Sequence, residues 1–198
     1  MKKIIKVPII TVTSLIFIII ALVITFKVSR KIFLENVKKF AIEMHKATKL
    51  ASNLCDAYYP LHAPEQWNDV KNYHFRILAW GEYKFETFET YSFENGVNIS
   101  HYTLEQRGAL DTLDAYMSNA TVLLKKVNKS RISKIIGQEV RQTVQDAWYN
   151  AVVASLLIHE PPKTYEAYKK LWYDLSARLD KDMKLLDVMK NYDYKKDK

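Results

Sequence analysis

The chain contains few of the residues that interrupt helices or cross-link small domains. It has one cysteine, Cys55, and four glycines in 198 residues. A single cysteine excludes an internal disulfide, and its position excludes lipoprotein processing, which requires a cysteine just after an amino-terminal apolar stretch. The scarcity of glycine excludes a glycine-rich phosphate loop and favours an all-α fold.

The twenty residues from Val7 to Phe26 carry no charge and are mostly apolar. Lysines precede this run, and lysines and an arginine follow it. As a helix this run is about 30 Å long, which is enough to cross the hydrocarbon core of a bilayer. We therefore predict a short basic tail (residues 1–6) followed by a single-pass transmembrane anchor (residues 7–26). A cleaved signal peptide would need a small-x-small cleavage site, which Thr25–Arg30 does not offer, and a buried core helix is the third interpretation.

The orientation of this anchor follows from two conflicting patterns. Three lysines precede the run, and five basic residues follow it closely, so their number mildly favours a cytoplasmic domain. A short basic tail before an apolar run is, however, typical of signal anchors. We expect the carboxyl-terminal domain to lie outside the cytoplasm.

The net charge of +8 is unevenly distributed. Six of the 30 basic residues lie in the first 31 positions, where there is no acid, and the remaining 24 face 22 acids. The high isoelectric point therefore reflects the flanks of the apolar run. We expect the bilayer and a protein of unknown identity as partners, and no nucleic acid.

After the apolar run the periodicity is that of a helix with one coiled-coil-like stripe. The stripe consists of Phe33, Val37, Phe40, Met44, Ala47, Ala51, Leu54 and Tyr58. Neither glycine nor proline occurs between Pro8 and Tyr59, so the anchor is predicted to continue into the domain as one rod of about 50 residues and 75 Å. Tyr59-Pro60 should end it, because the residue before proline avoids the helical region.

Further helices are predicted from residues that start or end helices and from the spacing of apolar residues. In chain order, the first runs from Pro64 to Asn95-Gly96. The second starts at a capping box formed by Thr103 and Gln106 and continues through Val127. The third runs from Ser130 or Ser133 to Glu160, and the fourth from Thr164 to Tyr192. Ala147–Ile158 is apolar on most sides and is predicted to be the central helix, and Val97–Ile99 is the one β-like stretch. The predicted fold is all-α: a transmembrane helix continuing into an up-and-down bundle of four to five long helices (residues 30–192), with a charged tail (residues 193–198).

One group of residues has metal-ligand chemistry. Asp56, His62, Glu65, Asp69 and His74 surround the first predicted turn, where they could converge on a cation. The alternative is a solvated turn with His74 on a core stripe. Standard ligand spacings such as His-Glu-x-x-His or paired cysteines do not occur, so we predict no metal site and no cofactor.

Candidates for catalysis are equally sparse. Cys55 adjoins the core stripe and has no basic neighbour, which favours a small buried hydrophobe over a reactive thiolate. His159-Glu160 could form an acid–base pair, but a helix terminus interacting with its own carbonyls is the simpler interpretation. We predict no catalytic residue.

Two charged groups are candidates for binding. The basic turn, which we define as Lys125, Lys126, Lys129, Arg131 and Lys134, could contact an anionic lipid or polymer surface. Its alternative role is to complement a helix carboxyl end and to solvate a turn. Glu82, Glu86 and Glu89 would form an acidic stripe on the second predicted helix, by default a solvated face.

These observations favour a membrane-anchored interaction, sensing or scaffold protein of a bacterial or phage cell envelope, without catalysis. A membrane-tethered hydrolase or metal-dependent enzyme that uses the Asp56–His74 group is one alternative. A phage or bacteriocin exclusion or immunity factor is the other.

Overall fold

The computed structural model describes residues 9–61, 63–64, 72–78, 85–135 and 137–191. Its elements are α1 (Ile9–Tyr58), β1 (Tyr73–Leu78), β2 (Phe85–Thr90), α2 (Phe93–Gln106), α3 (Ala109–Lys129), α4 (Arg131–Ile135), α5 (Gln138–His159) and α6 (Tyr165–Asn191). The prediction of a mainly helical domain is confirmed. Both predicted tails, residues 1–6 and 193–198, lie outside the described residues.

The helix α1 is continuous over 50 residues, as the absence of internal glycine and proline predicts. Its length is therefore about 75 Å. The eight stripe residues from Phe33 to Tyr58 are at most 2% exposed, which confirms the predicted core face. In contrast, no side chain between Phe17 and Ile32 is buried. The amino-terminal part of α1 thus extends beyond the bundle that its carboxyl-terminal part joins.

Within the described residues, we find no helix that is long and apolar enough to cross a membrane. The predicted anchor begins at Val7, outside the described residues, and its side chains are described only from Phe17 onward.

The helices α5 and α6 run in opposite directions along α1. The thiol of Cys55, near the carboxyl end of α1, lies 3.8 Å from the carbonyl oxygen of Ala154 in α5. The hydroxyl of Tyr168, in the first turns of α6, donates a 2.7 Å hydrogen bond to the carbonyl oxygen of Cys55. Near the other end of α6, Asp187 lies 3.2 Å from His45 of α1. Therefore α6 begins beside the carboxyl end of α1 and runs back.

The helix α3 is antiparallel to α5. Asp114 in its first turns lies 3.3 Å from His159 at the end of α5. Asn128 at the end of α3 accepts a 3.4 Å hydrogen bond from Gln145 in the amino-terminal half of α5. Since the carboxyl half of α5 adjoins the carboxyl end of α1, α3 also runs back toward the amino-terminal half of α1. The turn that contains α4 consequently lies at that end of the bundle.

The centre of the bundle is α1, which packs against β1 and every other helix. The prediction that Ala147–Ile158 forms the central helix is wrong. Tyr149 and Leu156 in this segment are 59% and 57% exposed. The other helices therefore do not surround α5, although it is apolar on most sides. One face of α5 is buried, and this face packs against α1, α3 and α6.

The predicted helix from Pro64 to Gly96 is also wrong, because Tyr73–Leu78 and Phe85–Thr90 within it form an antiparallel hairpin. Phe75 in β1 pairs with Phe88 in β2, and their rings stack with centroids 5.5 Å apart. Exposure alternates along β2, where Thr87 and Glu89 are exposed and Thr90 is buried. This alternation is the period of a strand, whereas the helical prediction relied on residues spaced three and four apart between Trp67 and Phe88.

The helix α2 begins where the sequence analysis placed the end of a helix. The hydroxyl oxygen of Ser92 accepts a hydrogen bond from the backbone N–H of Asn95 at 3.2 Å, which is an N-cap. Gly96 therefore lies in the first turn of α2, and a Cβ added there would lie 1.9 Å from the ring of Phe75. Val97–Ile99 is helical, not β.

Two other predicted helix starts lie four to seven residues before the observed ones. Thr103 and Gln106 lie in the last turn of α2, so they do not cap α3, which follows Gly108 in the left-handed region (φ 69°). Ser130 is the C-cap of α3, and α5 starts after Gly137. The last helix, α6, agrees with its prediction to within one residue at each end.

Candidate functional site

The basic turn lies on the surface at the junction of α3, α4 and α5. All five of its side chains are exposed. Val127 and Ile132, which alternate with them in sequence, are 0% and 4% exposed and pack into the core. These two apolar contacts fix the chain on both sides of Ser130, so the basic side chains between them are directed to solvent.

The positive charge of this region is nearly uncompensated in sequence. Residues 125–141 contain six basic residues and a single acid, Glu139. Among the described residues we find no ion pair to any of the five side chains of the basic turn. Like charges held close together without partners repel one another, so an arriving anion would relieve this repulsion.

The fold brings a second basic segment to the same end of the bundle. Residues 27–39 of α1 contain five basic residues and one acid, Glu35. The basic residues are Lys27, Arg30, Lys31, Lys38 and Lys39, all exposed. Because α3 runs back along α1 and α4 packs on α1, the basic turn lies at the end from which α1 extends. We call residues 27–39 together with the basic turn and Arg141 the basic end.

A groove opens between α4 and the start of α5. It has a volume of about 400 Å³ and is lined by Lys134, Gln138, Arg141, Gln142 and Gln145. No carboxylate is among these described lining residues. Two of the glutamines are held by neighbours, because Gln142 donates to Asp146 at 2.8 Å and Gln145 donates to Asn128. The groove therefore offers the cationic groups of Lys134 and Arg141 and the amide of Gln138, which is the chemistry that recognises an anion.

The part of this groove that belongs to α5 was not predicted from the sequence. Gln138, Arg141, Gln142 and Gln145 have the spacing i, i+3, i+4, i+7, which places them on one face of a helix. That spacing could have identified the face, but its proximity to Lys134 depends on how α4 turns back onto α5.

The proposed metal-ligand group is only partly described. His62, Glu65 and Asp69 lie outside the described residues, and the described part of the chain contains no group of three possible ligands. Asp56 lies at the end of α1, where partial burial raises the pKa of its carboxyl group and a hydrogen bond from Trp172 of α6 acts in the opposite direction. His74 lies in β1, where its Nδ1 is 3.4 Å from a carboxylate oxygen of Glu89. Each of the two described members is therefore placed by its own local contacts.

The acidic stripe predicted on a helix is wrong, because Glu86 and Glu89 lie in strand β2. Glu82 lies outside the described residues. His159, which was considered with Glu160 as a possible acid–base pair, lies 3.3 Å from Asp114 on the bundle surface.

Cys55 is fully buried, in agreement with its interpretation as a small core residue. Burial raises the pKa of its thiol well above the usual range, which disfavours the thiolate. Tyr168 packs beside it, and burial raises the pKa of the Tyr168 hydroxyl as well. The pair is a hydrogen-bonded core contact between α1 and α6.

A second polar cleft, not predicted from the sequence, lies between α5 and α6. Its volume is about 350 Å³, and its lining consists of Thr143, Asp146, Tyr149, Asn150, Arg178, Lys181, Asp182 and Leu185. The amide of Asn150 donates a 2.8 Å hydrogen bond to a carboxylate oxygen of Asp182. Burial raises the pKa of Asp182, although the bond from Asn150 acts in the opposite direction.

Comparison with known proteins found no family model, curated protein or solved structure that matches this chain.

Proposed function

We propose that this protein is a single-pass, membrane-anchored helical bundle of a cell envelope that acts by binding a protein partner, as an interaction or scaffold module without catalysis. The observation that carries the proposal is the division of α1. One continuous helix has an exposed apolar segment at its amino-terminal end and supplies the core of the bundle at its carboxyl-terminal end.

The exposed segment is unusual for a surface in water. From Phe17 to Phe26 its large apolar side chains are 41% to 74% exposed. Full burial of an exposed Leu, Ile or Phe side chain is favourable by about 1.5–3 kcal/mol. A succession of such side chains therefore strongly favours transfer of this segment to an apolar phase. Together with the uncharged run from Val7, this supports an anchor at residues 7–26.

The orientation remains the one expected from the sequence, with the bundle outside the cytoplasm. Exposed aromatic side chains support a protein partner. Tyr91, Tyr102 and Tyr173 are 86%, 64% and 78% exposed, and tyrosine is enriched in protein interfaces.

Fractionation of cells that express the full chain tests the anchor. We expect the chain to sediment with membranes, to resist extraction at alkaline pH and to be released by detergent, whereas a chain lacking residues 1–26 should stay in the soluble fraction. Recovery of the full chain in the soluble fraction, or its release in a shortened form, would overturn the proposal.

Fusions at Lys198 test the orientation. Alkaline phosphatase should be active there, and a fluorescent protein that matures only in the cytoplasm should be dark. A bright, phosphatase-negative fusion would show that the bundle faces the cytoplasm, while leaving the anchor in place.

A further inference from the structure

We propose that the basic end of the bundle binds the phosphate of an anionic lipid headgroup, and that the groove between α4 and α5 holds this phosphate with Lys134, Gln138 and Arg141. The inference rests on the proposed membrane anchor and names the surface that its bundle would contact. It assigns a ligand to a site that the anchor alone does not require.

The first step of the argument is position. The last residue of the uncharged run, Phe26, is seven residues before Phe33, the first buried residue of the bundle. In a helix, seven residues span about 10 Å. The basic end begins in this interval, so its charges start within about one Debye length, 8–10 Å, of the headgroup layer.

The second step is the sign and the density of charge. The two segments of the basic end contain eleven basic residues and two acids, Glu35 and Glu139. They come from parts of the chain about a hundred residues apart, and only the return of α3 along α1 brings them together. Anionic headgroups attract such a cluster by about 1 kcal/mol for each basic residue near the surface.

The third step is the shape of the groove. A flat basic surface attracts anions without positioning them, whereas this groove is lined by four residues of α5 and by Lys134 of α4. Lys134 supplies an ammonium group, Arg141 a planar guanidinium, and Gln138 an amide N–H donor. A phosphate oxygen accepts well from all three donors, and a guanidinium can donate two parallel bonds to it.

The test uses the full chain in micelles of a neutral detergent and counts bound lipids by native mass spectrometry. Phosphatidylglycerol and phosphatidylcholine are added at equal concentrations. We expect a preference for phosphatidylglycerol that weakens as salt increases, and a loss of about thirtyfold in Lys134→Gln/Arg141→Gln, since each near-surface charge contributes roughly a factor of five.

The matched control, Lys163→Gln/Lys170→Gln, removes two charges from the start of α6 and its preceding loop, at the opposite end of the bundle. It should keep the preference. If Arg141→Gln lowers the melting temperature, Lys134→Gln alone replaces the double variant, because Lys134 is exposed, and its expected loss is about fivefold. Inorganic phosphate at millimolar concentration should compete weakly, because it lacks attachment to the membrane.

Three outcomes overturn the inference: equal binding of both lipids, equal loss in the control variant, or binding of inorganic phosphate that matches that of the lipid. A chain that sediments with membranes but shows no lipid preference overturns this inference alone. A chain that stays soluble overturns the proposed anchor, and its binding to phosphatidylglycerol vesicles then tests the groove separately.

Discussion

Asn150 and Asp182 form a hydrogen bond of 2.8 Å between α5 and α6, where both residues line the polar cleft. The two residues are only 8% and 5% exposed. A buried carboxylate is costly unless a donor compensates for the water it has lost, and Asn150 supplies such a donor. The pair therefore ties the register of α5 to that of α6.

Replacing Asn150 by leucine should destabilise the protein by about 1–3 kcal/mol at pH 7, because it removes a donor from a buried carboxylate. The deficit should become smaller as the pH falls. Burial raises the pKa of Asp182, so on acidification the folded state takes up this proton before the unfolded state does. Denaturant unfolding of both proteins at pH 7 and at pH 4.5 measures the difference.

The control is the same substitution in an Asp182→Asn background. With a neutral amide at position 182, Asn150→Leu should have a cost that does not depend on pH. A pH-independent cost in the wild-type background would show that the ionisation of Asp182 is unrelated to the contribution of Asn150.

A helix could be predicted from the sequence where a single stripe of apolar residues runs along its full packed length. Along α1, apolar residues recur from Phe33 to Tyr58 without a glycine or proline, and each of them is buried. Their burial follows from the periodicity alone, since a helix with one apolar stripe packs with that stripe facing the core.

The hairpin was not predictable in the same way. Phe85 and Phe88 are three residues apart, which fits a helix, while Tyr73 and Phe75 are two apart, which fits a strand. What decides between the two is tertiary, because Phe75 packs against Gly96 of α2, a residue that the sequence presents as a helix terminator. Local patterns cannot weigh a contact between segments twenty residues apart.

The basic turn was predictable because its members are adjacent in sequence, and exposure of its side chains follows from their charge. Its companions were not. Arg141 belongs to a different helix, and residues 27–39 lie about a hundred positions earlier, so their common location depends on chain direction in the bundle. No single segment contains that information.

Cys55 should be inert in the folded protein. Its side chain is inaccessible and burial raises the pKa of the thiol, so the full chain in detergent should show no reaction with a thiol reagent at pH 8. One thiol should react after unfolding in guanidinium. The matched control is Asn53→Cys, an exposed position on the same helix, which should react at once. Rapid labelling of Cys55 in the native protein would contradict the buried position.

The contact between Gly96 and Phe75 determines how the hairpin sits on α2. A Cβ at position 96 would lie 1.9 Å from Cε2 of Phe75, and the Phe75 ring is itself enclosed, at 0% exposure. Alanine is the better helix former by up to about 1 kcal/mol, so propensity alone predicts that Gly96→Ala stabilises α2. The clash predicts the opposite sign.

We expect Gly96→Ala to lower the free energy of unfolding by about 1–3 kcal/mol, because an overpacked core must shift. The comparison is Gly108→Ala, where no atom lies within 4 Å of the added Cβ and the cost, about 1 kcal/mol, comes only from the positive φ of 69°. In a double-mutant cycle, Phe75→Leu should offset part of the cost at Gly96 and none at Gly108. If Gly96→Ala proves stabilising, or if its cost is independent of Phe75, the hairpin does not pack on α2 as described.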